Sequence, residues 1–544
     1  MDDWGHELAE IWLVLGLAVE GIALLLIPVV LARRKEPPST VAWILALIFL
    51  PGVGATIFLL FGRDRVRIPV QWKREADRLL AGRKGAARAP GDPLDAEGRA
   101  RRAAVAREAA LARLPAPVDR ELFRIGVALG GAEPTGGNAV EILVDGARTY
   151  AAIGAAIDAA TRTVHAEYYL IRSDAAADWL RDRLVAAAGR GVEVKLLVDG
   201  YGSFWLRRRW LRSLRRAGVK VAFFLPARLL LFQPMNLRNH RKIVVIDGAV
   251  DGAVGFTGGI NIGDEYGGTE GPANAEPRPT SSRPANAERP WRDTHLRLTG
   301  PSVTRLERVF EQDWHFATGQ DLPHLGEPDA AEALEPPSSG AEVADGDLPG
   351  DPGAPASSKG AIVAIVRSGP DLAGADRETI HRIFFGAITL ARERVYITTP
   401  YFIPDRSILV ALQTAALRGV DVRLLFPSRS NHRVVWLAGR SFYEDLLDAG
   451  VSIYEYGPGM IHAKTMAVDG SIALVGSANM DLRSFRLNFE VHAVVRDKLT
   501  ALRLEGCFEA DLALSRRIDP EEFRQRPAAQ RVLEGAARLL SPLM

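Results

Sequence analysis

Asn239-His240-Arg241-Lys242-Ile243-Val244-Val245-Ile246-Asp247 returns later in the chain as Ile461-His462-Ala463-Lys464-Thr465-Met466-Ala467-Val468-Asp469, so the frame His-x-Lys-x4-Asp occurs twice. Both runs end in β-branched or apolar residues and read as strands. On a strand, residues i and i+2 share a face, so each His projects with its Lys, and the Asp closes the run at a turn. A small-residue turn bearing an amide follows each run: Gly258-Gly259-Ile260-Asn261 and Gly476-Ser477-Ala478-Asn479. Glycine lets a backbone approach closely, and Ser and Asn supply neutral donors. One such motif would arise often in a strand with two polar residues. Two in equivalent places, each followed by Gly-(Gly/Ser)-x-Asn, argue for a duplicated functional unit.

Working outward, the two halves resemble each other. A helix-like stretch leads to Gly191-Val-Glu-Val-Lys-Leu-Leu-Val in the first and to Gly419-Val-Asp-Val-Arg-Leu-Leu-Phe in the second. A further helix then ends in Ala217-Gly218-Val219 or Ala449-Gly450-Val451. Helices alternating with short β-branched runs predict α/β layers on a mostly parallel or mixed sheet. The expected organisation is a membrane hairpin at 1–62, a basic helical connector at 63–135, a first α/β domain at 136–320, a linker at 321–359 and a second α/β domain at 360–544. Residues 267–290 repeat Pro-Ala-Asn-Ala-Glu and read as a surface insertion; residues 321–359 are rich in Pro, Gly, Ser and acid. Neither carries enough apolar residues to bury a core.

The 544 residues are 47% hydrophobic and 25% charged, as in a folded protein, and the net charge of +2 gives no global basic field for nucleic acid. A single cysteine, Cys507, excludes an intramolecular disulfide and any multi-cysteine metal site, and reads as packing. Ile11–Ala32 and Val41–Phe61 are apolar runs of the length that crosses a bilayer as a helix, with Trp12 and Trp43 suited to its interfaces. Asp2, Asp3, Glu7 and Glu10 make a signal peptide a poor fit, leaving a two-helix anchor. Three cations (Arg33, Arg34, Lys35) lie between the runs and six (Arg63, Arg65, Arg67, Lys73, Arg74, Arg78) follow them, which places the bulk of the chain in the cytoplasm. Glu20 sits within the first run and faces the second helix or an interface. From Arg63 to Arg88, nine cations against three acids suit anionic headgroups.

The motif residues fit a phosphodiester. Lysines bind phosphate oxygens as point charges. An imidazole attacks phosphorus or moves a proton near neutral pH. Two such sets facing each other would put one His on each side of a single phosphate.

The paired motif resembles the phospholipase D superfamily, and its surroundings resemble bacterial cardiolipin synthase: Glu167-Tyr-Tyr, Asp199-Gly-Tyr-Gly-Ser203, Asn239-His-Arg-Lys, Phe256-Thr-Gly-Gly-Ile-Asn-Ile-Gly-Asp-Glu-Tyr266, Trp291-Arg-Asp-Thr-His295, Thr399-Pro-Tyr-Phe-Ile-Pro-Asp405, Asn479-Met-Asp-Leu-Arg-Ser-Phe-Arg-Leu-Asn-Phe-Glu490 and the terminal Leu540-Ser-Pro-Leu. The match spans most of the chain outside 66–138, 267–290 and 321–359. The resemblance implies two phospholipase D-like α/β repeats packed as a pseudo-dimer behind a two-helix transmembrane hairpin in the bacterial inner membrane. It implies transfer of a phosphatidyl group between two phosphatidylglycerol molecules, giving cardiolipin and glycerol through a phosphohistidine, with no cofactor or metal and with membrane lipids as partners. The catalytic residues it implies are His240, Lys242, Asp247, His462, Lys464 and Asp469, supported by Asn261, Ser477 and Asn479. It also implies an acid orienting each ring: Glu490 for His462 and Asp293 for His240.

The first half departs from the pattern by a tandem Asp-Gly-Ala-Val at 247–250 and 251–254, so that Asp247 keeps the spacing from Lys242 while Asp251 keeps the spacing to Gly258. The reading adopted is Asp247, with a longer turn absorbing the duplication. Tyr401, Pro404 and Asp405 are candidate pocket residues and His432 a loop residue; His165, His295, His315, His381 and His492 read as structural. Competing activities are hydrolysis with water as acceptor, transfer from phosphatidylethanolamine, nuclease action and a non-catalytic scaffold. The hairpin and near-neutral charge argue against a nuclease, and the two intact His/Lys pairs against a scaffold.

Overall fold

The computed structural model describes residues 3–32, 37–59, 117–129, 133–225, 237–248, 252–267, 290–322, 358–370 and 377–540. Asp251, most of the expected connector at 63–135, most of the insertion at 267–290 and of the linker at 321–359, and the terminal Ser-Pro-Leu lie outside these. The chain forms two compact units, one holding the N-terminal helices and the other both halves of the repeat.

In the N-terminal unit, the first apolar run is helical within Asp3–Leu31. The second was expected as one helix over Val41–Phe61. It is instead two, Pro37–Phe49 and Pro51–Ile57, with a turn at Leu50. Pro51 lacks an N–H and starts the second segment at its favoured first-turn position. Gly54 then presses on the preceding helix, where a Cβ would lie 2.2 Å from the carbonyl oxygen of Ala46. Ala23, Leu26, Val30, Leu47, Ala55 and Phe58 make a small core, while Leu24, Leu25 and Phe49 point outward and are more than half exposed. Among the described residues no helix is long and apolar enough to cross a membrane.

The second unit is built on one sixteen-stranded sheet, with the short strands Phe402–Ile403 and Met480–Asp481 paired apart from it. The first half supplies β1 (Thr135–Val144), β2 (Thr163–Tyr168), β3 (Glu193–Asp199), β4 (Lys220–Phe224), β5 (Arg238–Asn239), β6 (Lys242–Ile246), β7 (Val254–Gly258) and β8 (Thr294–Thr299). The second supplies β9 (Ser358–Ser368), β10 (Arg394–Thr398), β11 (Phe402–Ile403), β12 (Asp421–Pro427), β13 (Ser452–Tyr456), β14 (Thr465–Val468), β15 (Ile472–Gly476), β16 (Met480–Asp481), β17 (Asn488–Arg496) and β18 (Ser515–Arg517). The order β18-β13-β12-β10-β14-β15-β17-β9-β1-β8-β7-β6-β2-β3-β4 reads nearly the same outward from the central β9–β1 pair in both directions. That is the expected tandem α/β repeat, joined as a pseudo-dimer. The strands β2, β3 and β4, like β10, β12 and β13, run parallel. Their unbroken apolar runs, such as Leu196-Leu197-Val198, suit parallel strands covered on both faces.

The halves share a core. Ile243, Leu296, Phe310, Val363, Val475, Val491 and Leu504, drawn from both, are buried in one cluster beneath the helices Ser302–Thr318 and Lys498–Leu512. Each such side chain contributes about 1.5–3 kcal/mol, so separating the halves would expose much of what holds either together. Helices return to the sheet through glycines at positive φ, Gly191 at 90° and Gly419 at 89° in equivalent places, where a side chain would be strained.

Candidate active site

The motifs were expected on strands, but the strands begin only at Lys242 and Thr465, so that His240, His462 and Lys464 precede them; each motif is stitched to the other half. The pair Arg238–Asn239 runs parallel to Asn488–Phe489, and the N–H of His240 donates to the carbonyl of Phe489 at 2.9 Å. In the same way Ile461 bridges Arg292, and the N–H of His462 donates to the carbonyl of Arg292 at 2.6 Å. Each motif histidine thus begins beside the strand segment that carries the opposite half's acid.

The acids are exchanged accordingly. His240 Nδ1 lies 3.0 Å from Glu490 Oε2, and His462 Nδ1 lies 2.7 Å from Asp293 Oδ2. This corrects the expected pairing, which kept each acid with the His of its own half. The parallel bridges cross the pseudo-twofold axis and carry Glu490 to His240 and Asp293 to His462. An ionised carboxylate only accepts, so Nδ1 of each ring carries the proton and Nε2 is left as the acceptor; that of His462 has Lys464 Nζ 3.1 Å away.

The acids are themselves held. Ser477 Oγ donates to Glu490 Oε2, and Asn488 Nδ2 donates to its Oε1 at 3.0 Å. Burial alone would raise Glu490, but His240, Lys242 and the Ser477 hydroxyl outweigh it and hold the carboxyl at about 2. Asp293 accepts the N–H of Thr294 at 2.7 Å, and Gly259 makes room for it: a Cβ there would lie 2.2 Å from Asp293 Oδ1. Two buried arginines brace the backbone carbonyls of the acids. Arg241 Nε donates to the Glu490 carbonyl at 3.2 Å and its guanidinium pairs with Asp313; Arg292 Nη1 donates to the Asp293 carbonyl at 2.7 Å and its Nε pairs with Asp511 at 2.9 Å.

The lysines are fully enclosed. Lys242 Nζ donates to the His240 carbonyl at 2.5 Å, and Lys464 Nζ lies 2.8 Å from His462 Nδ1. Burial pushes Lys242 down to about 7 and Lys464 to about 8, against the pull of Glu490 and Asp293. Burial likewise pushes His240 to about 4 despite Glu490, and drives His462 well below the usual imidazole range, helped by Lys464, Lys242 and His240. Near neutral pH both rings are therefore uncharged, with the ammonium groups as the site's positive charge. After burial, the charges of Lys242 and Lys464 act on His240, and those of Lys464, Lys242 and His240 on His462, as for groups gathered in one cleft.

Asp247 and Asp469 are not part of it. Asp247 accepts the N–H groups of Thr161, Arg162 and Thr163 at 2.7–2.9 Å; Asp469 accepts those of Arg392, Glu393 and Arg394 at 2.8–2.9 Å. Their φ values match, 51° and 49°. Each lies five positions beyond its lysine, about 16 Å at 3.3 Å per residue. The catalytic role expected of them is thus replaced by a structural one: they fasten the start of β2 and β10. The match also identifies Asp247 as the counterpart of Asp469.

Asn261 is structural too: its Nδ2 donates to Tyr266 at 2.9 Å and its Oδ1 accepts from the Leu170 N–H. Asn479 keeps a buried Oδ1 with no hydrogen-bond partner among the described residues, a free acceptor beside Ser477. Tyr401 lines the site, 6.3 Å from His462 between ring centroids, with His432 packed on it at 5.7 Å. Asp405 does not line it, being the N-cap of helix Arg406–Leu417 and paired with His381 at 3.0 Å; Pro404 is buried. His165 pairs with Glu307, His315 with Asp321, and His492 Nε2 accepts from Ala478, as structural histidines do; His295 is buried. Three aromatics were not singled out from sequence. Tyr169 packs on His240 at 4.9 Å, and Trp291 and Tyr266 pack on His462 at 5.2 and 5.7 Å.

A family model described as "Cardiolipin synthase, PLD-like domain" matches residues 153–267 and 385–512, and one described as "Phospholipase_D-nuclease N-terminal" matches 22–63. A Geobacillus kaustophilus protein named cardiolipin synthase is 37% identical over 522 residues, 95% of this chain and 91% of that one. A Pseudomonas aeruginosa protein named cardiolipin synthase A is 36% identical over 98% of this chain and 96% of its own. The crystal structure of a Haemophilus influenzae phosphatidylserine synthase superposes with a TM-score of 0.55 at 15% identity, over 78% of this chain and all of that one, a likeness of fold.

Proposed function

Because the chain belongs to the cardiolipin synthase family of phospholipase D-like proteins, we propose that it joins two phosphatidylglycerol molecules into cardiolipin and releases glycerol. The observation that carries this reading is the exchange of acids, which aims two neutral imidazoles and two ammonium groups at one cleft.

Lys242 and Lys464 hold the non-bridging oxygens of one phosphatidylglycerol phosphate. Nε2 of one motif histidine attacks phosphorus while the bond to the headgroup glycerol breaks. The other histidine gives that oxygen its proton, so glycerol leaves neutral and a phosphatidyl–histidine remains. The second histidine takes up a proton at Nε2 as the anionic phosphate binds beside it, since a nearby negative charge favours the imidazolium; it donates that proton in this step and emerges as a base. It takes the proton from a headgroup hydroxyl of a second phosphatidylglycerol, whose oxygen displaces the first histidine and completes cardiolipin. Glu490 and Asp293 stabilise whichever ring is cationic. His240 is assigned the attack and His462 the proton transfer.

Residues 1–62 are read as the anchor, a two-helix hairpin in the bacterial inner membrane. The outward apolar side chains of that unit and the family match at 22–63 support it. The cation count on either side of the apolar runs supports a cytoplasmic catalytic part. The domain limits 63–135, 136–320, 321–359 and 360–544 are kept as the working division.

The test is product analysis of the purified full-length protein in phosphatidylglycerol vesicles. Cardiolipin and glycerol in equal amounts are expected, undiminished by EDTA. Phosphatidic acid as sole product would overturn transfer in favour of hydrolysis. A strict need for added phosphatidylethanolamine would replace the donor.

A further inference from the structure

After β3 the chain enters a short rigid loop, 200–206, at the sheet edge that carries the cleft. Asp199 fixes it on one side, accepting the N–H groups of Tyr201 at 2.9 Å and Gly202 at 2.8 Å, and on the other accepts the N–H of Asn239, the residue before His240, at 2.9 Å. Ser203 Oγ donates to the carbonyl of Tyr169, whose ring lies on His240. From this braced loop Phe204 and Trp205 project into solvent, 54% and 84% exposed, edge to face at 5.1 Å.

The next element is helix Arg208–Arg216, Arg-Arg-Trp-Leu-Arg-Ser-Leu-Arg-Arg. Trp210, Leu211 and Leu214 are its buried side. At about 100° per residue, its five arginines fan over an arc of about 120° on the opposite side. With Arg207 they are six exposed cations in ten residues, with no acid in the stretch. Among the described residues none of the six has an acidic partner. Some surface arginines elsewhere are paired, as Arg181 is with Asp178 and Asp182, and Arg423 with Asp421 and Glu509, and others such as Arg392 and Arg406 stand singly among the described residues; what sets this stretch apart is six in ten residues. An ordinary solvated helix face mixes signs. A cationic arc beside exposed aromatics is the composition of a surface that lies on an anionic bilayer. The equivalent loop after β12 also exposes Arg429 and Arg433, next to His432 and Tyr401 at the other histidine.

We propose that Phe204, Trp205 and the arginine arc of helix Arg208–Arg216 form a docking surface for the anionic lipid bilayer, separate from the N-terminal anchor, which seats the mouth of the cleft on the lipid surface. The inference rests on the proposed function only in taking an anionic lipid as substrate. The aromatic pair enters the interface, the arginines bind lipid phosphates around it, and a headgroup reaches the histidines without leaving the membrane plane.

The test uses the full chain reconstituted in vesicles, with Trp205→Cys carrying an environment-sensitive fluorophore in a Cys507→Ser background. A blue shift is expected with phosphatidylcholine–phosphatidylglycerol vesicles and not with phosphatidylcholine alone, reversed by high salt and lost in Arg208→Gln/Arg209→Gln/Arg212→Gln. A water-like probe in both vesicles, or a shift that follows protein density rather than phosphatidylglycerol, would overturn the proposal; the latter would make the face a contact between copies. In mixed micelles the same triple variant, without the probe, should raise the surface concentration of phosphatidylglycerol at half-maximal rate by about 100-fold, three arginines near an anionic surface each being worth about fivefold. The rate at saturation should not change. An unchanged half-maximal concentration would overturn it. If the wild type makes no cardiolipin, the proposed reaction fails while the fluorescence still decides the surface.

Discussion

Replacing Lys242 by Met should abolish activity and stabilise the protein. The ammonium is fully buried, and burial brings its pKa from 10.5 to about 7. A group with a lowered folded pKa binds fewer protons in the native state than in the unfolded chain between those values, so wild-type stability rises with pH across 7–10.5. At pH 7 the lost protonation costs about 4 kcal/mol, from 1.36 kcal/mol per pK unit. Part of that would be given back in the variant because Glu490 and Asp293 lose a neighbouring cation. A smaller net gain of about 1–3 kcal/mol at pH 7 is expected, because Lys464 remains beside both carboxylates. Thermal unfolding of detergent-solubilised full-length protein at a fixed scan rate, from pH 7 to 10.5, would measure it. The advantage should shrink steadily as the pH rises. A variant less stable than wild type at pH 7, or an advantage independent of pH, would refute the reasoning that this cation is held at a cost for function.

Four further outcomes follow from the site. In the free enzyme kcat/KM should fall as pH rises through about 7–8, because Lys242 and Lys464 lose the charge that holds phosphate; a pH–rate profile flat to pH 9 would contradict this. Glu490→Gln and Asp293→Asn should each lower kcat about 10²–10⁴-fold by releasing the ring tautomer, and a double-mutant cycle should couple Glu490 to His240 and not to His462. Asp247→Asn and Asp469→Asn should each cost about 1–3 kcal/mol of stability through weakened bonds to three backbone N–H groups. Those variants should keep near-normal kcat at temperatures where they remain folded, and loss of kcat without loss of stability would return the aspartates to catalysis.

Much of this architecture was legible in the chain. The duplicated His-x-Lys frame and the matching Gly-Val-acid-Val-(Lys/Arg)-Leu-Leu segments gave two α/β units, because strand and helix periodicities are local. A strand's two-residue repeat was the reason to expect His and Lys side by side, yet the strands begin only at Lys242 and Thr465 and the histidines precede them. What could not be read was side-chain partnership across hundreds of residues. The acid 28 residues after His462 looked like its partner, yet the pairing of β5 with β17 delivers Glu490 to His240. The aspartates looked catalytic because they share the motif, but the strand carries them away from the cleft to the turns before β2 and β10. Tyr169, Trp291 and Tyr266 lay within recognisable segments, but only the assembled cleft brings their rings against the histidines. The break at Leu50–Pro51 was written in the proline, and length and hydropathy alone passed over it.

The account stands on both imidazoles serving one phosphate within a single chain. Its most direct measurement is cardiolipin formation by purified His240→Ala, purified His462→Ala and an equimolar mixture of the two, in phosphatidylglycerol vesicles. All three should stay at background. Near-wild-type turnover by either variant alone would contradict the two-histidine chemistry, and activity restored on mixing would contradict a cleft completed within one chain.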